Sequence, residues 1–265
     1  MTTAFLILLV MPDPSFAQQA ADDFALKAVQ ETRIAFVRTG DDTVDTISEQ
    51  GLKGLGEILK DRTSVIPGSP VGINIDDDDI VFFPLVYWPV LENAQTPTPA
   101  TIAKMDSYMK NGGTIFFDLR NDSFGFGNSA NAANGATEAL RRILEKLDIP
   151  PLEPVPENHV LTKSFYLLRD FPGRYAAGQL WVERTDTTST NNVDGVSSII
   201  IGSNDYAAAW ALDDNGNSLY AVIPGNDRQR EMAFRTGINV VMYALTGNYK
   251  ADQVHIPALL ERLGQ

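Results

Sequence analysis

An α/β fold, with a mostly parallel sheet flanked by helices, is what this 265-residue chain predicts. Three observations carry that prediction. Apolar runs rich in β-branched and aromatic residues at 80–88 and 114–118 have the length and composition of strands buried on both faces. Segments 45–60 and 98–111 repeat their apolar residues at helical spacing. Between residues 33 and 118 the order is strand, helix, strand, strand, helix, strand, the rhythm of a parallel sheet built from crossovers.

In chain order, residues 33–38 (RIAFVR) predict a first strand that ends at Thr39, Gly40, Asp41 and Asp42. The helix over 45–60 carries Ile47, Leu52, Leu55, Ile58 and Leu59 on one side. Gly51, Gly54 and Gly56 weaken it, yet allow it to lie close on the sheet. A short strand is expected near 64–66 and a longer one over 80–88, with Pro84 marking a bulge or an end. Thr98 is a good N-cap with Pro99 at the first helical position, and Asn111-Gly112-Gly113 stops that helix. A strand over 114–118 follows, then a helix over 136–147 that a proline-rich stretch ends.

The second half predicts β-rich elaboration. Strand-like stretches are expected at 160–168, 180–183, 198–201, 207–212 and 219–223, with an exposed Thr/Asp/Asn-rich loop at 185–195. A long helix over 227–245 is expected to stop at Gly247, with a separate amphipathic tail at 251–265.

The N-terminus bears on compartment. Residues 4–11 (AFLILLVM) are followed by Pro12, Asp13 and Pro14, then Ser15-Phe16-Ala17. This reads as a signal-like apolar run with a small-residue cleavage site, or as a truncated membrane span, with a buried N-terminal strand as the alternative. Either membrane reading places residues from 18 onward on the periplasmic side of the inner membrane. The division expected is 1–17 signal-like, 18–31 lead-in, 32–250 α/β domain and 251–265 tail.

A net charge of −13 and a pI near 4.5 repel phosphate backbones, which excludes nucleic acid as the expected partner. Zero cysteines exclude disulfides, thiolate metal sites and cysteine nucleophiles.

Ligands of open parallel sheets bind at the carboxyl ends of strands. That rule selects Arg38, Thr39 and Asp41, then Tyr87 and Trp88, then Asp118 and Arg120, with Ser203-Asn204-Asp205 beside them. Together they suit a polar, sugar-like small molecule. Asp118 is a candidate general base if burial raises its pKa, with His159 or Asp205 assisting. The competing reading makes Asp118 and Arg120 a structural ion pair. Arg228, in the Arg228-Gln229-Arg230-Glu231 run at a helix start, is a candidate for gripping a carboxylate or phosphate, or else part of surface i, i+4 pairs.

The letters GFGNSA at 125–130 fit a dinucleotide pattern but lack its strand–turn–helix context, so a loop is expected and no cofactor. The aspartates 76–79 do not alternate as calcium ligands must. His159 and His255, the two histidines of the chain, support neither a zinc site nor a Ser-His-Asp triad.

These segments resemble a bacterial family known as domain of unknown function 4159. The resemblance runs over roughly 31–265, through RTGD at 38–41, FPLVYWP at 83–89, NGGTIFFD at 111–118, HVLTKSFY at 159–166 and YALTGNYKADQVH at 243–255. It implies a flavodoxin-like sheet of the class I glutamine-amidotransferase-like type. It also implies that the domain ends a longer membrane-anchored protein, often encoded beside a MoxR-type ATPase. In amidotransferases of this fold the thiol follows the strand that 114–118 matches. Leu119, Arg120 and Asn121 stand there instead, so thioester chemistry is absent. The expectation is an envelope-associated binding module, non-catalytic or weakly catalytic. Its alternatives are an architectural domain working with the ATPase and a hydrolase-like enzyme acting on a carbohydrate or cell-wall component.

Overall fold

The computed structural model describes residues 31–120, 135–184 and 197–263, with side chains described as far as Thr246. The signal-like segment, the lead-in as far as residue 30, the 125–130 pattern, Asn121, the 185–195 loop and the side chain of His255 lie outside the described residues.

The elements are β1 (Ile34–Val37), α1 (Asp42–Arg62), β2 (Val71–Ile73), β3 (Leu85–Pro89), α2 (Pro99–Lys110) and β4 (Thr114–Asp118). Then come α3 (Gly135–Leu144), β5 (Leu152–Pro154), a 3-10 turn (Val160–Lys163), β6 (Trp181–Glu183), β7 (Ile199–Gly202), α4 (Tyr206–Trp210) and α5 (Asp227–Leu263). They form a seven-stranded sheet in the order β2-β1-β3-β4-β7-β6-β5. Pairs from β2 through β7 are parallel, and β6 and β5 add an antiparallel edge. The expected α/β sheet is present, and its first five strands follow the flavodoxin-like order.

Strand alternation divides the core. Ile34, Phe36, Tyr87 and Phe116 face one layer with α1, α4 and α5. Ala35, Val37, Trp88 and Phe117 face the other, with α2 and α3. A strand buried on both faces must carry apolar residues at consecutive positions, which is why β3 and β4 read as continuous apolar runs.

The caps behave as their chemistry requires. Asp41 caps α1 by accepting from the amides of Thr43 and Val44, and Thr98 caps α2 with Pro99 in its first turn. Gly51 and Gly54 face α4, where a Cβ on Gly51 would overlap the Ala207 carbonyl and one on Gly54 the Trp210 carbonyl. The close approach expected of these glycines is made to a helix rather than to the sheet.

Several expectations are corrected. Residues 64–66 are not a strand; the edge strand is Val71–Ile73, where a side chain at Gly72 would come within 2.8 Å of Arg38 and Phe36. The 80–88 run begins pairing after Pro84, while Ile80 and Phe83 enter the core from a turn. Residues 207–212 form α4 instead of a strand: Tyr206–Trp210 is buried all round, which erases periodicity, and its three alanines favour helix. Residues 160–168 hold a 3-10 turn, and 219–223 contribute only an isolated bridge, Tyr175 to Ile223. The edge strand Leu152–Pro154 was hidden by prolines that an edge tolerates. Gly247 does not end α5, which continues to Leu263, so the tail is one helix with it; a single glycine weakens a helix by about 1 kcal/mol and need not stop it. Among the described residues, no helix is long and apolar enough to cross a membrane.

Candidate functional site

The carboxyl ends of the parallel strands carry two separate groups of polar residues. The first is buried and centres on Asp118, the last residue of β4, level with Pro89 of β3 and Gly202 of β7. Asp118 is fully inaccessible. Its Oδ2 accepts from the Tyr87 hydroxyl at 2.7 Å and the Tyr206 amide at 2.6 Å. Its Oδ1 accepts from the amides of Arg120 at 3.0 Å and Asp205 at 3.3 Å.

Burial, with the neighbouring charge of Asp205 second, raises Asp118 from 3.8 to about 6, against the pull of its donors. The shift is the one a general base would need, but four donors already occupy the two oxygens. In this arrangement Asp118 positions the residues after β4 and β7.

Asp205 is the second buried carboxylate, and two arginines from different segments converge on it. Arg120 Nε lies 2.9 Å from Oδ1, and Arg174 Nη1 lies 3.2 Å from Oδ2. The expected Asp118–Arg120 ion pair is therefore replaced by a backbone bond to Asp118 and a side-chain pair with Asp205. Burial alone would lower Arg120, but Asp205, Tyr87 and Asp118 reverse this and leave it raised.

The second group lines a crevice of about 240 Å3 at the ends of β2, β1 and β3. Arg38 and Thr39 contribute from just beyond β1, Asn74 and Asp76 from beyond β2, and Trp88, Asn93 and Gln95 from β3 and its following loop. The strand order reverses between β1 and β3, which makes this the switch point where ligands of doubly wound sheets bind. Arg38 is exposed and also borders an acidic groove with Asp42, Asp45 and Glu49. Thr39 is oriented by Asp45, which accepts from its amide at 2.8 Å and its hydroxyl at 2.7 Å.

The sequence-derived residues thus fall into separate places. Tyr87, Asp118, Arg120 and Asp205 come together; Arg38, Thr39 and Trp88 come together elsewhere. Asp41 is committed to capping α1. His159 joins neither group: its Nδ1 accepts from the Leu161 amide at 3.2 Å as the cap of the 3-10 turn, and its ring packs at a tilt against Tyr243. Arg228 is exposed at the start of α5. Its neighbour Arg230 turns inward to the carbonyls of Ala209 and Tyr220, and Glu231 pairs with Arg62 and Arg235. Among the described residues no cluster of His, Asp and Glu is arranged to hold a metal.

Arg174, Asn74, Asn93 and Gln95 were missed from sequence. All four lie in connecting segments with no motif around them, and only the sheet order brings them to the strand ends.

A family model described as domain of unknown function (DUF4159) matches residues 33–245. No curated protein matches the chain.

Proposed function

We propose, from the premise that this chain belongs to the DUF4159 family, that it is a non-catalytic binding module holding a polar, sugar-like ligand in the crevice at the ends of β1, β2 and β3. One observation carries the reading: the switch-point crevice combines a guanidinium (Arg38), a carboxylate (Asp76), three carboxamides (Asn74, Asn93, Gln95) and a hydroxyl (Thr39) beside the edge of Trp88. Donors and acceptors of this mixture match a polyhydroxylated ligand better than a dinucleotide or an apolar one.

The two candidate bases are both engaged, Asp118 by four donors and His159 as the cap of a turn, which supports binding over turnover. The zero cysteine count removes amidotransferase chemistry. In this reading the chain is a class I glutamine-amidotransferase-like domain, exported or membrane-anchored at the periplasmic face, within a system that includes a MoxR-type ATPase.

The test is a thermal-shift titration of the full chain with mono- and oligosaccharides and cell-wall fragments, repeated with Arg38→Ala and Gln95→Ala. Both side chains are exposed, so the variants should fold. A ligand bound only by the folded state raises the melting temperature with concentration. A saturable rise that both variants weaken supports the reading. A flat response, or one that both variants leave intact, removes this crevice as the site.

A further inference from the structure

We propose that Arg120 and Arg174, held by Asp205 at the ends of β4 and β7, form an oxyanion site for a carboxylate or phosphate group, distinct from the crevice. Each arginine spends one nitrogen on Asp205. Among the described residues, the Arg120 fork makes no further bond through its terminal nitrogens, and Arg174 makes none through Nε or its second terminal nitrogen. Arg174 Nε is buried and has no hydrogen-bond partner among the described residues. A buried guanidinium donor left unsatisfied is uncommon, and a bound water or anion is what satisfies such a group.

The site is held in place before any ligand arrives. The Arg174 carbonyl accepts from the Ile223 amide at 2.7 Å and from Gln229 Nε2 at 3.0 Å, and the Tyr175 amide donates to the Asn204 carbonyl at 3.1 Å. Arg120 and Asp205 both take the left-handed backbone region, at φ 53° and 49°. Such strain persists where surrounding contacts over-determine it, and it concentrates at ligand sites. The side chains of Arg120 and Arg174 are 16% and 29% exposed, so their free edges reach solvent while screening stays reduced.

Charge favours an anion here despite the acidic surface. Arg230, its guanidinium fixed by the carbonyls of Ala209 and Tyr220, is near enough that burial first and Arg174 second lower its pKa. Three guanidiniums thus stand against the carboxylates of Asp118 and Asp205, leaving one positive charge. Forked guanidiniums suit the paired oxygens of carboxylate and phosphate, where lysine would offer only a point charge.

The experiment is thermal unfolding and calorimetric titration of the full chain with inorganic phosphate, acetate and chloride at constant ionic strength. The expected result is a saturable rise with phosphate or acetate and none with chloride. Which of the two binds tighter separates a phosphate ligand from a carboxylate one. Arg174→Gln should weaken the affinity at least tenfold, Arg174→Lys should weaken it less, and Arg38→Ala should leave it unchanged. Equal responses to chloride and phosphate would reduce the effect to screening and overturn the proposal, as would binding that survives in both Arg174 variants. Loss in Arg38→Ala would assign the anion to the crevice instead. A sugar response without an anion response would leave the proposed function standing and this site refuted.

Discussion

Arg120 and Asp205 face each other across the ends of β4 and β7 with both backbones in the left-handed region, Arg120 Nε standing 2.9 Å from Asp205 Oδ1. For a side chain as large as arginine that backbone region is unfavourable by about 1–2 kcal/mol, while aspartate visits it more readily. The Asp118 carboxylate holds both turns by accepting their amides, and the ion pair joins the side chains above it.

Asp205→Asn tests what the charge contributes. Asparagine tolerates the same backbone, so strain is unchanged, but Arg120 and Arg174 lose their shared counter-charge. Removing one member of a buried ion pair is unfavourable by about 3–5 kcal/mol, and partial exposure of the arginines brings the expectation to about 2–3 kcal/mol. The urea midpoint of Asp205→Asn against the wild-type chain checks it. A loss below about 0.5 kcal/mol would mean that solvent already compensates the arginines.

That pair also marks how far the sequence could be read. The strand–helix order and the N-caps Asp41 and Thr98 were legible because they rest on local spacing and local hydrogen bonds. Tyr87, Asp118 and Arg120 were selected because strand ends in a parallel sheet converge. Arg174 was not, because it reaches Asp205 from a loop 31 residues away, and no periodicity encodes that meeting. The helix at Tyr206–Trp210 was misread because full burial removes the polar face that distinguishes helix from strand. The split of Tyr87 from Trp88 follows from strand alternation and could have been drawn from sequence; adjacent strand residues cannot share one face.

Asp118 predicts a pH dependence of definite sign. Its folded value, about 6, lies above the ordinary 3.8. The folded state therefore binds the proton more tightly than the unfolded state. The resulting stability is fully present below about pH 4 and is lost as pH rises through 6. Subtracting the stability–pH curve of Asp118→Asn from that of the wild-type chain should give a difference that declines between pH 4 and 6 and is flat above 7. The variant itself should be less stable by about 1–3 kcal/mol at neutral pH, since an amide replaces only one of the two acceptor oxygens and its NH2 would face either Tyr87 and Tyr206 or the amides of Arg120 and Asp205. A difference curve without slope in that window would refute the raised value.

His159 predicts the opposite slope. Burial lowers its pKa from the ordinary 6.5, and its Nδ1 is the acceptor that caps the 3-10 turn. The neutral ring is favoured in the folded state, so its stabilising contribution is present above pH 6.5 and is lost as pH falls through the lowered folded value. His159→Asn keeps a capping acceptor without titrating there. The wild-type chain should lose stability relative to this variant on acidification below 6.5. Parallel curves for the two proteins would show that the ring is not held neutral.

Gly51 and Gly56, one helical turn and a half apart on α1, should respond to alanine with opposite signs. At Gly51 the new methyl would overlap the Ala207 carbonyl, backbone that cannot step aside without separating α1 from α4. Overpacking of this kind is destabilising by about 1–3 kcal/mol, and contact with backbone places Gly51→Ala near the upper end despite the gain in helix propensity. At Gly56 the methyl meets only Pro67 Cγ at 3.4 Å, a contact small movements of the ring can absorb. There the propensity term dominates, and Gly56→Ala should raise stability by up to about 1 kcal/mol. Chemical denaturation of both variants checks the pair, and a stabilised Gly51→Ala would show that α1 and α4 are not packed backbone to backbone.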